Sequence, residues 1–297
     1  MNIFGDTFVN ALIKNIAKGG QNDEVENIAR MISDLTAKFI VNKENNNFFS
    51  HLIELFMKST DIKEMYTTCP YSFANEILAD LIMYIGTCFI GNTSLIEDVI
   101  VLFRGTYTKT LKTKTKDLYP LLGVVFAMTF CKSAHVVQAF RELNVFDDIK
   151  KLFYTQTPTV VVQRIFAIFK SVMLSDYFEM QKLLLDHFLP VMFDADINRH
   201  LDLKNPNNNY NVESYLFNRR LMRIIYQVSQ GKSKIAEALK EMKHFLLYVE
   251  KVSKEEMNAQ SSFFFNIVPE FMTKEDEEKM EQRRIQAVFT ETGQSII

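Results

Sequence analysis

Breakers are scarce in this chain: 9 glycines and 6 prolines interrupt its 297 residues. With so few turn-formers, long segments run without a stop signal. No stretch alternates apolar and polar residues with period two, which argues against half-buried strands. Neither sign of charge is in excess, with 34 Lys and Arg against 36 Asp and Glu. No global field therefore draws the chain to nucleic acid or to an anionic membrane. There are three cysteines, Cys69, Cys88 and Cys131. An odd count, with two members inside apolar helical patterns, reads as buried free thiols of a reducing compartment and not as a disulfide framework. No apolar run approaches the roughly 20 residues that span a bilayer. The opening MNIFGDTFVNALIKNIAKGG lacks the basic start and long apolar core of a signal peptide and reads as a modestly amphipathic helix. A soluble, cytoplasmic protein without membrane insertion is expected.

What fills the chain instead is Leu, Ile, Val and Phe at three- and four-residue spacings. Phe73, Ile77, Leu78, Leu81, Ile82, Ile85 and Phe89 make a stripe down one side of a helix. The pattern returns at Leu118, Leu121, Leu122, Val125, Phe126 and Phe130, and at Val161, Ile165, Phe169, Val172 and Met173. With 47% hydrophobic residues, a large core is within reach. A chain of helices joined by short polar loops, at this length, stacks into a right-handed solenoid. The expected fold is all-α: a curved, armadillo/HEAT-like, right-handed helical-repeat solenoid. It forms one scaffold domain over 1–275, followed by a charged terminal helix and flexible tail over 276–297.

Polar breaks at Gly19-Gly20 and Asn42 to Asn47 delimit a helix ending near Val41. Further helices are expected over 48–58, 71–90, 94–105, 116–132, 133–143, 145–155, 158–174, 177–193, 211–230, 232–252, 256–272 and 274–289. Pro70, Pro158 and Pro190 suit helix starts or ends, and Pro120 suits a first turn. Two loops are expected, the Thr/Lys stretch Thr106 to Lys116 and the asparagine tract Lys204 to Asn211. Both read as connectors; a phosphate contact is the alternative for the first.

Enzyme signatures fail. Gly231-Lys232-Ser233 imitates the end of a phosphate loop, but Tyr226 stands where that loop needs its first glycine. Asp194 to Asn198 imitates the opening of a calcium loop, yet Arg199 replaces the turn glycine and Asn205 the bidentate glutamate. His51, His135, His187, His200 and His244 are scattered, with no pair at ligand spacing. His187 lies next to an apolar stripe and reads as a packed or edge histidine. Asn92-Thr93-Ser94 is a chance glycosylation acceptor. No catalytic residue, metal or cofactor is expected.

One segment carries unspent charge. Leu221, Met222, Ile225 and Val228 define a buried side, while Arg219 and Arg223 are spaced i, i+4 on another face with Arg220 beside them. The nearest carboxylate on the same segment is Glu213. Guanidinium groups bind carboxylates in bidentate fashion and stack on aromatic rings. An outside partner is one reading, and pairing with acids of a neighbouring helix is the other.

Around this helix the chain resembles the calcium-binding protein 39, or mouse protein 25, family of scaffolds. Lys114 to Phe126 resembles that family's segment in which a basic pair and an aspartate precede an apolar helix. Val162 to Lys170, VQRIFAIFK, is similar to its Ala-Phe-Ala-Thr-Phe-Lys helix. Asp186-His187-Phe188 followed by Phe193 resembles the next acidic-aromatic run. Tyr215 to Ile225, YLFNRRLMRII, resembles Tyr-Val-Thr-Lys-Arg-Gln-Ser-Leu-Lys-Leu-Leu, and Asn258 to Phe271 resembles Asn-Ile-Gln-Phe-Glu-Ala-Phe-His-Val-Phe. The likeness covers roughly residues 114–272; before that only helical character is shared.

The resemblance implies a fold of stacked helical repeats whose concave face cradles a sterile-twenty-type protein kinase or pseudokinase and favours its active conformation. It also implies a pocket for a short Trp-Glu-Phe tail. Arg219 falls on the family's pocket arginine and Arg223 on its nearby lysine. Arg220 joins them, and Phe245, Leu246 and Val249 of the next helix would supply the apolar wall. The asparagines before the pocket helix enlarge its loop, and the carboxyl terminus is shorter and more charged than the family's. The failed calcium loop gives the calcium in the family name no support. An armadillo-type regulatory domain for a small GTPase or cytoskeletal regulator is the alternative function; it does not need the arginine pair beside an apolar groove.

Overall fold

A computed structural model describes residues 3–18, 23–42, 47–68, 70–88, 93–111, 118–154, 158–202 and 212–251. Among them there are fourteen helices and no strand. These are α1 (Ile3–Lys18), α2 (Asp23–Asn42), α3 (Asn47–Lys58), α4 (Thr60–Thr68), α5 (Ser72–Cys88), α6 (Thr93–Thr110) and α7 (Leu118–Met128). The second half holds α8 (Ala134–Glu142), α9 (Val145–Tyr154), α10 (Thr159–Met173), α11 (Phe178–Asp202), α12 (Val212–Ser229), α13 (Lys234–Leu239) and α14 (Lys243–Lys251). The helices expected over 256–272 and 274–289, the terminal tail, the asparagine tract and Cys69 lie outside the described residues.

The helices pack in two files. In one, α5 lies between α2 and α7, α7 packs on α10, and α10 packs on α12. In the other, α1 packs on α4, α4 on α6, α6 on α8, and α8 on α11, which also carries α9, α13 and α14. The apolar stripes explain both. Ile77, Leu78, Leu81, Ile82 and Ile85 of α5 are all buried, and so are Leu121, Leu122, Val124 and Val125 of α7. A helix apolar on most of its circumference must be covered on more than one side, which places it inside a stack. Rings knit the other file: Phe103 stacks on Phe140 at 5.5 Å, and Phe140 meets Phe146 edge-on at 5.3 Å.

Several elements differ from the sequence reading. The expected loop Thr106 to Lys116 begins as helix, because α6 continues to Thr110. Thr106 and Thr110, one turn apart, are buried, and the Thr106 hydroxyl donates to Asn75 Oδ1 of α5. These inward threonines hydrogen-bond to each other, and Thr106 also to Asn75 Oδ1, so the helix continues where composition suggests a connector. Residues 112–117 are not described. Segment 60–68, not expected as a helix, is α4; it buries Ile62, Met65 and Tyr66, and Ser59 Oγ accepts from the Ile62 amide near its start. The expected helix 232–252 is two, α13 and α14, with a turn at 240–242. Pro190 lies inside α11 and not at its end. Its neighbours Leu189 and Met192 are buried, so packing on both sides carries the helix through a residue that ordinarily breaks it.

The two imitation motifs have plain structural roles. Ser233 Oγ accepts from the Ala236 amide and caps α13. Asp194 to Asn198 is part of α11, not a loop. Asn144 takes a left-handed φ of 53° in the turn between α8 and α9, a conformation asparagine tolerates. Cys88 and Cys131 are free thiols; burial pushes Cys131 up to about 12.

Two helical glycines are expected to respond with opposite sign to one substitution. A Cβ on Gly86 would meet the Phe130 backbone carbon at 2.9 Å and the Cys131 nitrogen at 3.1 Å, so Gly86→Ala should destabilise by roughly 1–3 kcal/mol through overpacking. A Cβ on Gly123 of α7 would meet only Ala79 Cβ, at 3.8 Å, so Gly123→Ala should stabilise by about 0.5–1 kcal/mol. Urea midpoints at constant m-value decide both signs.

Candidate functional site

The arginine segment is α12. Leu221, Met222 and Ile225 are buried as its inner side. Asn218, also buried, accepts from the Tyr154 hydroxyl at 2.7 Å and donates to the Met192 carbonyl at 3.2 Å, which ties α12 to α9 and α11. Arg220 is exposed, with its guanidinium 5.5 Å from the centroid of the Phe217 ring. Arg223 is half-buried. Arg219 belongs to α12, but its side chain lies outside the described set. On α14, Leu246 is 48% exposed and Val249 half-buried, whereas Phe245, at 4%, belongs to the core. The expected trough thus has Leu246 as its exposed apolar member, with the Phe245 ring packed into the interior. α12 and α14 both rest on α11.

A second site was not singled out in the sequence. Where α2, α5, α7 and α10 lie side by side, they enclose a cleft of about 230 Å³. Its apolar lining includes Phe73, Met83, Pro120 and Phe126, and its polar lining Glu26, Arg30, Glu76, Asp80, Tyr119 and Arg164. Glu76 and Asp80 stand one turn apart on α5, on the strip left free by its apolar stripe. Glu76 is exposed at the mouth and Asp80 is half-buried deeper in. Opposite, Arg164 of α10 is 8% exposed. Its guanidinium lies 4.6 Å from the Tyr119 centroid, and Nη2 donates to the Tyr119 hydroxyl at 2.8 Å. Its Nε is buried with no acceptor among the described residues. On α2, Arg30 and Glu26 form an ion pair at i, i+4.

Burial is the main force on both α5 carboxyls. It pushes Asp80 up to about 7, with the Glu76 and Asp34 charges adding to the rise and the Ser33 hydrogen bond and Arg164 opposing it. It raises Glu76 as well, helped by Glu26 and opposed by Arg164. One buried guanidinium therefore does not neutralise the acids around it, and near neutral pH a proton shares the site. Such a carboxyl can hold a proton or exchange it for another cation. The signal available in the sequence was a pair of acids at i, i+4 on an otherwise apolar helix. Its arginine and tyrosine came from helices far along the chain.

A separate cluster of titratable groups surrounds Asp147. His187 Nδ1 lies 3.1 Å from Asp147 Oδ1, which also accepts from Lys150 Nζ at 2.7 Å; these donors hold Asp147 below the usual carboxylate range. His187 is thus an edge histidine in an ion-pair network. Among the described residues no group of three or more His, Cys, Asp or Glu is placed to hold a metal, and no helix is long and apolar enough to cross a membrane. No protein-family model, curated protein or solved structure matches the chain.

The Asp80 shift has a sign in stability. The folded carboxyl titrates near 7 against 3.8 for the free side chain, so between those values the folded state holds a proton that the unfolded chain has lost. The contribution is fully present below about pH 4 and is lost as pH rises through about 7. Asp80→Asn, neutral throughout, should therefore gain on the wild type by on the order of 2–4 kcal/mol between pH 4 and pH 8. Urea unfolding of both proteins across that range measures it. A pH-independent difference would contradict the burial argument.

Proposed function

We propose that this protein is a non-catalytic scaffold that binds a protein kinase or pseudokinase of the sterile-twenty type and favours its active state. In this reading the two files of helices form one curved, right-handed solenoid of the armadillo/HEAT kind, and the protein works in the cytoplasm. The observation that carries the reading is the file α2, α5, α7, α10 and α12. Segments distant in the chain stand side by side there, the arrangement by which helical repeats build an extended binding surface. The partner class comes from the sequence resemblance over 114–272. A short acidic-aromatic tail would sit on α12 and α14, where Arg219, Arg220 and Arg223 supply the cations, Leu246 and Val249 the apolar contact, and Phe245 the buried support behind them.

The action follows from population shift. A rigid surface activates a kinase only by binding its active form more tightly than its inactive form, and about 1.4 kcal/mol of preference changes the ratio tenfold. No cofactor or metal enters this scheme.

The test is a titration of the full chain with a Trp-Glu-Phe-ended peptide. Arg219→Ala should weaken binding by roughly 1–3 kcal/mol, the range for losing a charge-assisted contact. Equal affinity of mutant and wild type would remove the tail site, and no binding to the wild type would remove the kinase-scaffold reading.

A further inference from the structure

We propose that the cleft between α2, α5, α7 and α10 is a socket for one arginine side chain presented by a partner polypeptide. The inference rests on the cleft alone and stands apart from the kinase reading and the α12 tail site.

Three features select the guest. The first is the carboxyl pair: Glu76 and Asp80 stand one turn apart on a single helix face, at two depths of one cavity. A planar guanidinium with five N–H donors engages two acids at once, which a compact ammonium does less well. The second is the apolar lining. Phe73, Met83, Pro120 and Phe126 offer apolar surface to the methylene stem and rings to the guanidinium face. The third is Arg164, nine-tenths buried at the cleft wall, whose Nε–H lacks an acceptor among the described residues. A buried donor without an acceptor calls for an oxygen. The Nε is closed to solvent, so reaching it takes a shift of the Arg164 side chain; a peptide then supplies the oxygen, as the carbonyl beside the guest side chain, and a free alkyl guanidine does not.

The site's own charges set the pH dependence. Asp80 is faced by Glu26, Arg30, Ser33 and Asp34 of α2, by Glu76 one turn away, by Tyr119 of α7 and by Arg164 of α10. Near neutral pH it carries a proton for part of the time. An incoming guanidinium displaces that proton to solvent, so binding tightens as pH rises through about 7.

The experiment is a nuclear magnetic resonance titration of the full chain with a capped Ala-Ala-Arg-Ala-Ala peptide, read at the amide of Gly123, which lines the cleft. The arginine peptide should give a saturable shift, with affinity roughly tenfold weaker at pH 6 than at pH 8. Asp80→Asn should abolish that pH dependence and most of the binding, and Glu76→Gln should weaken binding several-fold with the pH dependence retained. The same peptide with citrulline, a neutral isostere, should not bind. Equal binding of the citrulline peptide, or full affinity in Asp80→Asn, overturns the socket. Equal binding of agmatine, a free alkyl guanidine, overturns the polypeptide guest in favour of a small amine.

Discussion

The fold depends on α5 being covered on both flanks. Its buried residues Ile77, Leu78, Leu81, Ile82 and Ile85 need α2 on one side and α7 on the other, and each of these neighbours has its own apolar side to bury. Contact is close enough at Gly86 that the turn after α7 leaves no room for a side-chain carbon. Once α5 is enclosed, only a narrow strip of its surface remains for charge, and Glu76 and Asp80 occupy it. The cleft is thus a by-product of packing: where three apolar helices meet a fourth, the residues that do not fit the core line the gap.

Packing also sets the electrostatics. The same burial that stabilises the aliphatic side chains takes water away from Asp80, and at short range its neighbours are mostly acids. Arg164 answers part of this demand, but its guanidinium is already stacked on Tyr119 and hydrogen-bonded to its hydroxyl. The cleft's polar lining holds three acids, Glu26, Glu76 and Asp80, and two guanidiniums, those of Arg30 and Arg164.

Much of the helical content was readable because period-3.6 stripes are long and strong here, as over 72–88, 118–128 and 159–173. The failures were of three kinds. Polar residues that point inward, such as Thr106 and Thr110, look like connector in composition and like core only after Asn75 is seen to meet them. Breakers inside supported helices, such as Pro190 in α11, look like ends until the burial on both sides is known. The nine-residue α4 is short, and its apolar positions Ile62, Met65 and Tyr66 were too few to register as a stripe. The arginines of α12 were visible as a cluster, yet neither the stacking of Arg220 on Phe217 nor the burial of Phe245 is encoded in their spacing.

By itself the sequence determined the class of structure: scarce breakers and apolar residues at helical period leave little besides helices packed on helices. Tertiary structure alone decided which charges meet. Glu26, Asp80, Tyr119 and Arg164 come from four helices, and their separation along the chain holds no trace of their closeness. Periodicity reports which side of a helix is buried, because that depends on neighbours within two turns. The partner it is buried against depends on the whole stack.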